Sequence, residues 1–286
     1  MLNYLLLFVA TISLSAQSVF TKQYGKNQKN APIIYIVMAT IAASLFFVAT
    51  SGLKLSFNFS TAKYSFFFAI FYAASLLGLT IALKCGPLSI SSLMINYSLI
   101  IPTLFGVFFL KESFGLAKIS GFILLIISLF LINYVKSGDG NIKLPQKWIV
   151  AIAISFVGNG MCSTVQKLQQ IDSNGKYKSE FMIIALVIVF AILLPTSLWF
   201  EKGKIRASIK SGGLLAIAYG LANGLVNWLV MFLGNRIPVS ILFPVVSAGG
   251  IIVSTIISVM LYKEKLSKIQ TIGVLAGITS IVFINF

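Results

Sequence analysis

Histidine is absent from this sequence, cysteine occurs twice and acidic residues six times in 286 positions. Without histidine the commonest metal ligand and the usual acid–base side chain are missing. Cys85 and Cys162 lie in widely separated segments, so neither a disulfide framework nor a zinc site is indicated. Charged residues make up only 10% of the chain, against 58% hydrophobic ones, and the mean hydropathy is +0.98. A soluble domain cannot hide that much apolar surface, which makes lipid the expected solvent. The formal charge of +16 raises the question of nucleic acid. Its Lys and Arg residues are scattered in ones and twos between apolar runs, which is how interfacial anchors flank membrane spans and not how a phosphate-binding patch is built.

A helix needs about 20 largely apolar residues to cross a bilayer core. That ruler gives about ten transmembrane helices, at 2–20, 32–53, 64–83, 88–110, 114–135, 148–166, 180–200, 212–233, 238–262 and 266–286. The first reads as a retained span and not as a cleaved signal, because no basic segment precedes it. The connections are short and polar, as in "KSGDGNIKLPQK".

The stretch "FFLKES" at 108–113 returns as "MLYKEK" at 260–265. Setting Lys111-Glu112 on Lys263-Glu264 also sets Gly121 on Gly273, Ser128 on Ser280 and Asn133 on Asn285; with one residue of slip, "GPLSI" at 86–90 falls on "IPVSI" at 237–241. Charge, proline, glycine and asparagine agree in order, which points to an internal duplication. Five spans per half is an odd number, so the second half enters the membrane from the opposite side. The expected fold is an all-α integral membrane protein of two inverted-topology five-helix repeats: residues 1–136, a connecting loop at 137–147, and residues 148–286. In this reading Lys111 ends the fourth span and Glu112 begins the fifth, each complementing a helix dipole.

With "GPLSISSLMINYSLIIPTLFGVFFLKES" in the first half and "IPVSILFPVVSAGGIIVSTIISVMLYKEK" in the second, the chain resembles the EamA-like branch of the drug/metabolite transporter superfamily over nearly its whole length. The resemblance implies a secondary transporter of amino acids, metabolites or toxic solutes, with export the expected direction, and it implies termini inside. The Lys/Arg balance of the loops points the other way, to termini outside. The first span reads "SLSAQSVF" and lacks the Trp-Gly pair of many members.

In such an architecture the solute binds near the bilayer midplane, so polar side chains deep within spans are the candidates. Tyr219, Asn223 and Asn227 follow at a spacing of four and share one stripe of the eighth span. The repeat register pairs Asn223 with Tyr72 and Ser247 with Asn96. Asn159, Ser163 and Gln166 form a stripe on the sixth span, and Ser13 with Gln17 a weaker one on the first. The substrate-binding candidates are therefore Tyr72, Asn96, Tyr219, Asn223, Asn227, Ser247, Asn159 and Gln17. Each has a plainer reading as polar glue between helices, and Gly220 with Gly224, and Gly273 with Gly277, read as close-packing pairs. Pro102 and Pro244 read equally as kinks that free carbonyls or as ordinary membrane-helix prolines. Lys84 and Arg236 read as interfacial anchors before they read as anion attractors.

Glu112, Asp139, Asp172, Glu180, Glu201 and Glu264 all fall at or outside span ends. A buried carboxylate is the usual proton carrier of pumps and the usual counter-ion of cationic drugs. Its lack favours a small neutral or zwitterionic solute, carried by alternating access. No catalytic, metal or cofactor site is expected, and the expected partners are the solute and the bilayer of a bacterial-type plasma membrane, for a monomer or homodimer. The competing readings are a non-transporting scaffold or sensor of the same fold and a cation or drug pump.

Overall fold

The computed structural model describes residues 2–25, 31–53, 55–85, 88–113, 115–132, 145–262 and 267–285. Among them every regular element is helical: α1 (Leu2–Gly25), α2 (Pro32–Thr50), α3 (Phe59–Cys85), α4 (Leu88–Tyr97), α5 (Ile100–Phe108), α6 (Leu116–Ile132), α7 (Gln146–Asp172), α8 (Lys178–Phe200), α9 (Ile205–Leu233), α10 (Val239–Tyr262) and α11 (Lys268–Asn285). Seven are long and apolar enough to cross a bilayer; Leu116–Ile132 and Lys268–Ile284 are shorter apolar helices, and Met94–Phe108 is a shorter apolar segment that runs through the turn between α4 and α5. Lys263 and Glu264, the second copy of the recurring pair, lie outside the described residues, as do Asn133 and Asp139.

Helix ends follow side-chain chemistry that an apolar ruler does not see. The Asn58 carboxamide oxygen accepts the Thr61 N–H at 3.2 Å, so α3 starts five residues before the apolar window. Ser267 and Gln270 form a reciprocal capping box at the start of α11, with bonds of 3.0 and 3.2 Å. Arg206 and Lys210 ride on the first turns of α9, where long basic side chains can snorkel. The fourth span is broken. Pro102 has no N–H to offer the carbonyl of Ser98, four residues back, so the chain turns at Ser98–Leu99 and α5 starts afresh. Pro244, by contrast, sits inside an uninterrupted α10.

The helices group into two compact units, Met1–Ala73 with Val165–Arg236, and Ala74–Thr164 with Ile237–Phe286. The divisions fall within α3 and α7, so each unit draws on both halves of the sequence.

In the first unit α9 packs on α1 and α2, and α2 on α8. Gly220 and Gly224 make the α2–α9 approach possible: a Cβ on Gly220 would strike the Ala39 carbonyl, and one on Gly224 would come within 2.7 Å of the Phe46 ring. Phe47, Phe181, Met182 and Leu186 are fully buried there. The buried Glu201, just past α8, accepts the N–H groups of Ile33 and Ile34 at 2.9 Å each, and Ser197 Oγ at 2.9 Å. Pro32 opens α2 with no N–H, and the next two donors go to this carboxylate.

The second unit repeats that device. Glu112 accepts the N–H groups of Val239 and Ser240 at 2.7 and 2.8 Å, directly after Pro238. This corrects the expectation that Glu112 serves the start of its own following helix. Lys111 takes a positive φ of 53°, which turns the chain so that the next side chain meets α10 and not α6. Glycine brings α6 and α11 together as it brings α2 and α9. A Cβ on Gly121 would lie 2.8 Å from the Ile284 nitrogen, one on Gly273 2.8 Å from the Ile132 nitrogen, and Ser128 Oγ donates to the Gly273 carbonyl at 2.7 Å. Within the same unit α3 and α7 are locked by reciprocal bonds, Ser75 Oγ to the Ser155 carbonyl at 3.1 Å and Ser155 Oγ to the Ser75 carbonyl at 2.8 Å.

Candidate functional site

The stripe Tyr219, Asn223, Asn227 on α9 lies beside the glycine face that receives α2. Asn223 and Asn227 meet α1 and α7, while Tyr219 turns to Tyr35 of α2. Gln166 Nε2 of α7 donates to Asn227 Oδ1 at 3.2 Å; Asn227 Nδ2 donates to Asn223 Oδ1 at 3.2 Å and to the Asn223 carbonyl at 2.9 Å; Asn223 Nδ2 donates to Gln17 Oε1 of α1 at 3.1 Å. Four carboxamides from three helices form one chain whose members all donate in the same direction. Gln17 and Gln166 are buried, 5% and 4% exposed, while Asn223 and Asn227 are half-buried. Amides in an apolar bundle must be satisfied internally, and a linked set is satisfied only while all four are in place.

One turn from Asn223 the half-buried Tyr219 ring meets Tyr35 edge-on, centroids 5.7 Å apart, and Tyr35 stacks on Tyr24 at 4.2 Å. Tyr24 OH donates to the Ala31 carbonyl at 2.8 Å and is hydrogen-bonded to Ser208 Oγ, and its ring fills the space over Gly212. Tyr219 joins an aromatic stack to an amide chain, and that pairing suits a small solute with a polar end and an apolar body.

Of the eight candidates, Gln17, Tyr72, Tyr219, Asn223 and Asn227 fall in the first unit, and Asn96, Asn159 and Ser247 in the second. Tyr72 packs near Phe68, centroids 5.5 Å apart, and Phe68 in turn meets Phe181 edge-on. Asn159 Nδ2 donates to Ser98 Oγ at 2.6 Å, at the break between α4 and α5. Gly160 beside it lets α7 reach that break, since a Cβ would lie 2.8 Å from the Ser98 carbonyl. Asn96 and Ser247 are half-buried and make no side-chain hydrogen bond among the described residues. The sixth-span stripe divides: seven residues, or about 10 Å of helix, separate Asn159 from Gln166, and the two bond within different units.

Residues 1–134 match the model of the EamA-like transporter family. That segment is therefore similar to the EamA-like transporters of the drug/metabolite transporter superfamily. That family is one of secondary transporters in multi-pass membrane proteins and not one of enzymes. A solved structure described as "Crystal structure of protein" aligns over 98% of this chain and 95% of its own at a TM-score of 0.74, with 14% identity. At that identity the likeness speaks for the fold alone. No curated protein matches the sequence.

Tyr24 and Tyr35 were not among the sequence candidates, and Gln166 was named only as a member of the sixth-span stripe, not as a partner of Asn227. Tyr24 and Tyr35 sit near span ends, where tyrosine is ordinary interfacial furniture. Nothing in the sequence separates them from that role. Gln166 carried a usable signal, a buried-face amide in an apolar helix, without a partner to rank it.

Proposed function

We propose that this chain carries a small neutral or zwitterionic solute by alternating access, with Gln17, Asn223, Asn227 and Gln166 as the polar contact and Tyr219 as the aromatic one. The continuous amide chain carries the reading. It places uncharged donors and acceptors inside the first unit, and the acidic residues described there, Asp172, Glu180 and Glu201, all stand at helix ends. A cation would meet no carboxylate along the chain, whereas a neutral or zwitterionic molecule can exchange water for amide groups without stranding a charge. The repeats that alternate are residues 1–136 and 148–286, joined by the loop at 137–147, in a bacterial-type plasma membrane. Tyr72, in the same unit, belongs to this reading as a supporting contact, while Asn96, Asn159 and Ser247 form a separate polar set within the second unit.

Uptake of a radiolabelled panel into proteoliposomes tests it, with neutral and zwitterionic solutes set against ethidium and tetraphenylphosphonium. Flux of a neutral or zwitterionic member above empty liposomes is the expected result. Flux of the organic cations alone, or none at all, contradicts the proposal.

A further inference from the structure

Three buried side-chain atoms lack a hydrogen-bond partner among the described residues: Gln17 Nε2, Gln170 Oε1 and Ser240 Oγ. Gln170 lies near the C-terminal end of α7, bonded through its Nε2 to neighbouring Gln169, and Ser240 lies in the first turn of α10 behind the Glu112 clamp. Gln17 differs from both because its orphan donor is the open end of the amide chain. Gln166 donates to Asn227, Asn227 to Asn223, and Asn223 to Gln17, so each bond polarises the next in one sense and the last N–H is left as a strengthened donor. The side chain is 5% exposed. A buried donor left unsatisfied costs free energy that a paired one does not, and a transport site is the place where a solute can relieve it.

We infer that Gln17 selects the solute: its unpaired Nε2–H donates to an acceptor oxygen of the transported molecule, a carboxylate, carbonyl or sulfonate, and an ammonium group is not taken there. The inference rests on the proposed transport site and narrows it to one end of the solute. An ammonium has only donors to offer, and meeting the Gln17 N–H it would leave two donors facing each other without an acceptor. An oxyanion gains a charge-assisted bond at no cost in new protein charge.

The test needs no known substrate. In a Cys85→Ser, Cys162→Ala background, Ser13→Cys places a thiol one helical turn from Gln17 on the same stripe of α1. The probes are sulfonatoethyl and aminoethyl methanethiosulfonate, applied to the protein in proteoliposomes, with each rate normalised to that of the reagent with a small free thiol in solution. A sulfonate held by the Gln17 N–H should modify this thiol about tenfold faster than the ammonium reagent, and adding Gln17→Leu should bring the rate ratio close to one. Gln17→Met, nearer in length, replaces Gln17→Leu if the latter does not give a monodisperse protein. A ratio unchanged by either substitution, an ammonium preference, or a thiol untouched by both reagents overturns the inference. Failure of the solute panel with the rate ratio intact would strike the transport proposal and leave Gln17 as an oxyanion reader; flux with an unaltered ratio would strike Gln17 alone.

Discussion

Gly121 of α6 lies against the backbone of Ile284 at the far end of α11, and at the same offset that sets Lys111-Glu112 on Lys263-Glu264, Gly273 of α11 lies against Ile132 at the far end of α6. Each helix presents to its mate what its mate presents to it, and the two run antiparallel. That is the signature of a two-fold axis perpendicular to a pair of equivalent helices, which is how inverted repeats are related. The duplication seen in the sequence is therefore also a packing relationship.

Leucine at either glycine would overfill the α6–α11 contact, at about 1–3 kcal/mol each. Gly121→Leu and Gly273→Leu should lower the melting temperature in detergent by similar amounts, because the two sites are equivalent. Gly115→Leu, which meets nothing within 4 Å, is the control and should leave it unchanged. Unequal effects at the two glycines would contradict the pseudo-symmetry.

The two carboxylate clamps predict a stability effect without a transport effect. Glu112→Gln keeps the shape but removes the charge that faces the positive end of α10, a loss of about 1 kcal/mol. Glu201→Gln should cost more, since Glu201 is buried and also holds Ser197. In both variants the flux per folded molecule should keep the wild-type dependence on pH. A flattened pH profile in Glu112→Gln with folding intact would make that carboxylate a proton carrier and overturn the assignment.

Pro102→Ala restores an N–H that can take the Ser98 carbonyl and join α4 to α5. The expected outcome is a higher melting temperature together with slower flux, because Asn159 is held by Ser98 at the break. A variant with wild-type flux would show that the break has no part in transport.

The helices, the stripe on α9 and the glycine pairs were legible in the sequence because each follows from spacing along one chain segment. Periodicity fixes which residues share a face, and apolar length fixes how many segments span. What the sequence left hidden depends on partners far away in the chain. Glu112 reads as a cap for α6 by proximity, yet meets residues more than a hundred positions on. Asn223 and Gln17 were both candidates, but their bond joins α9 to α1, and no local pattern links them. The shared stripe of Asn159 and Gln166 suggested one site, and only the packing of α7 divides them. Asn58 and the Ser267–Gln270 box were legible caps that hydropathy passed over.

Asn223→Leu tests the central claim most directly, measured for flux and melting temperature in a single preparation. Asn223 links Asn227 to Gln17, so its loss opens the amide chain at the middle and removes the proposed solute contact. The account predicts a protein that inserts and stays folded, with its apparent KM raised or its flux abolished, and the same direction of change in Asn223→Leu with Asn96→Leu. Flux per folded molecule equal to wild type in the double variant, with only the melting temperature lowered, would reduce the amides to packing and contradict the account.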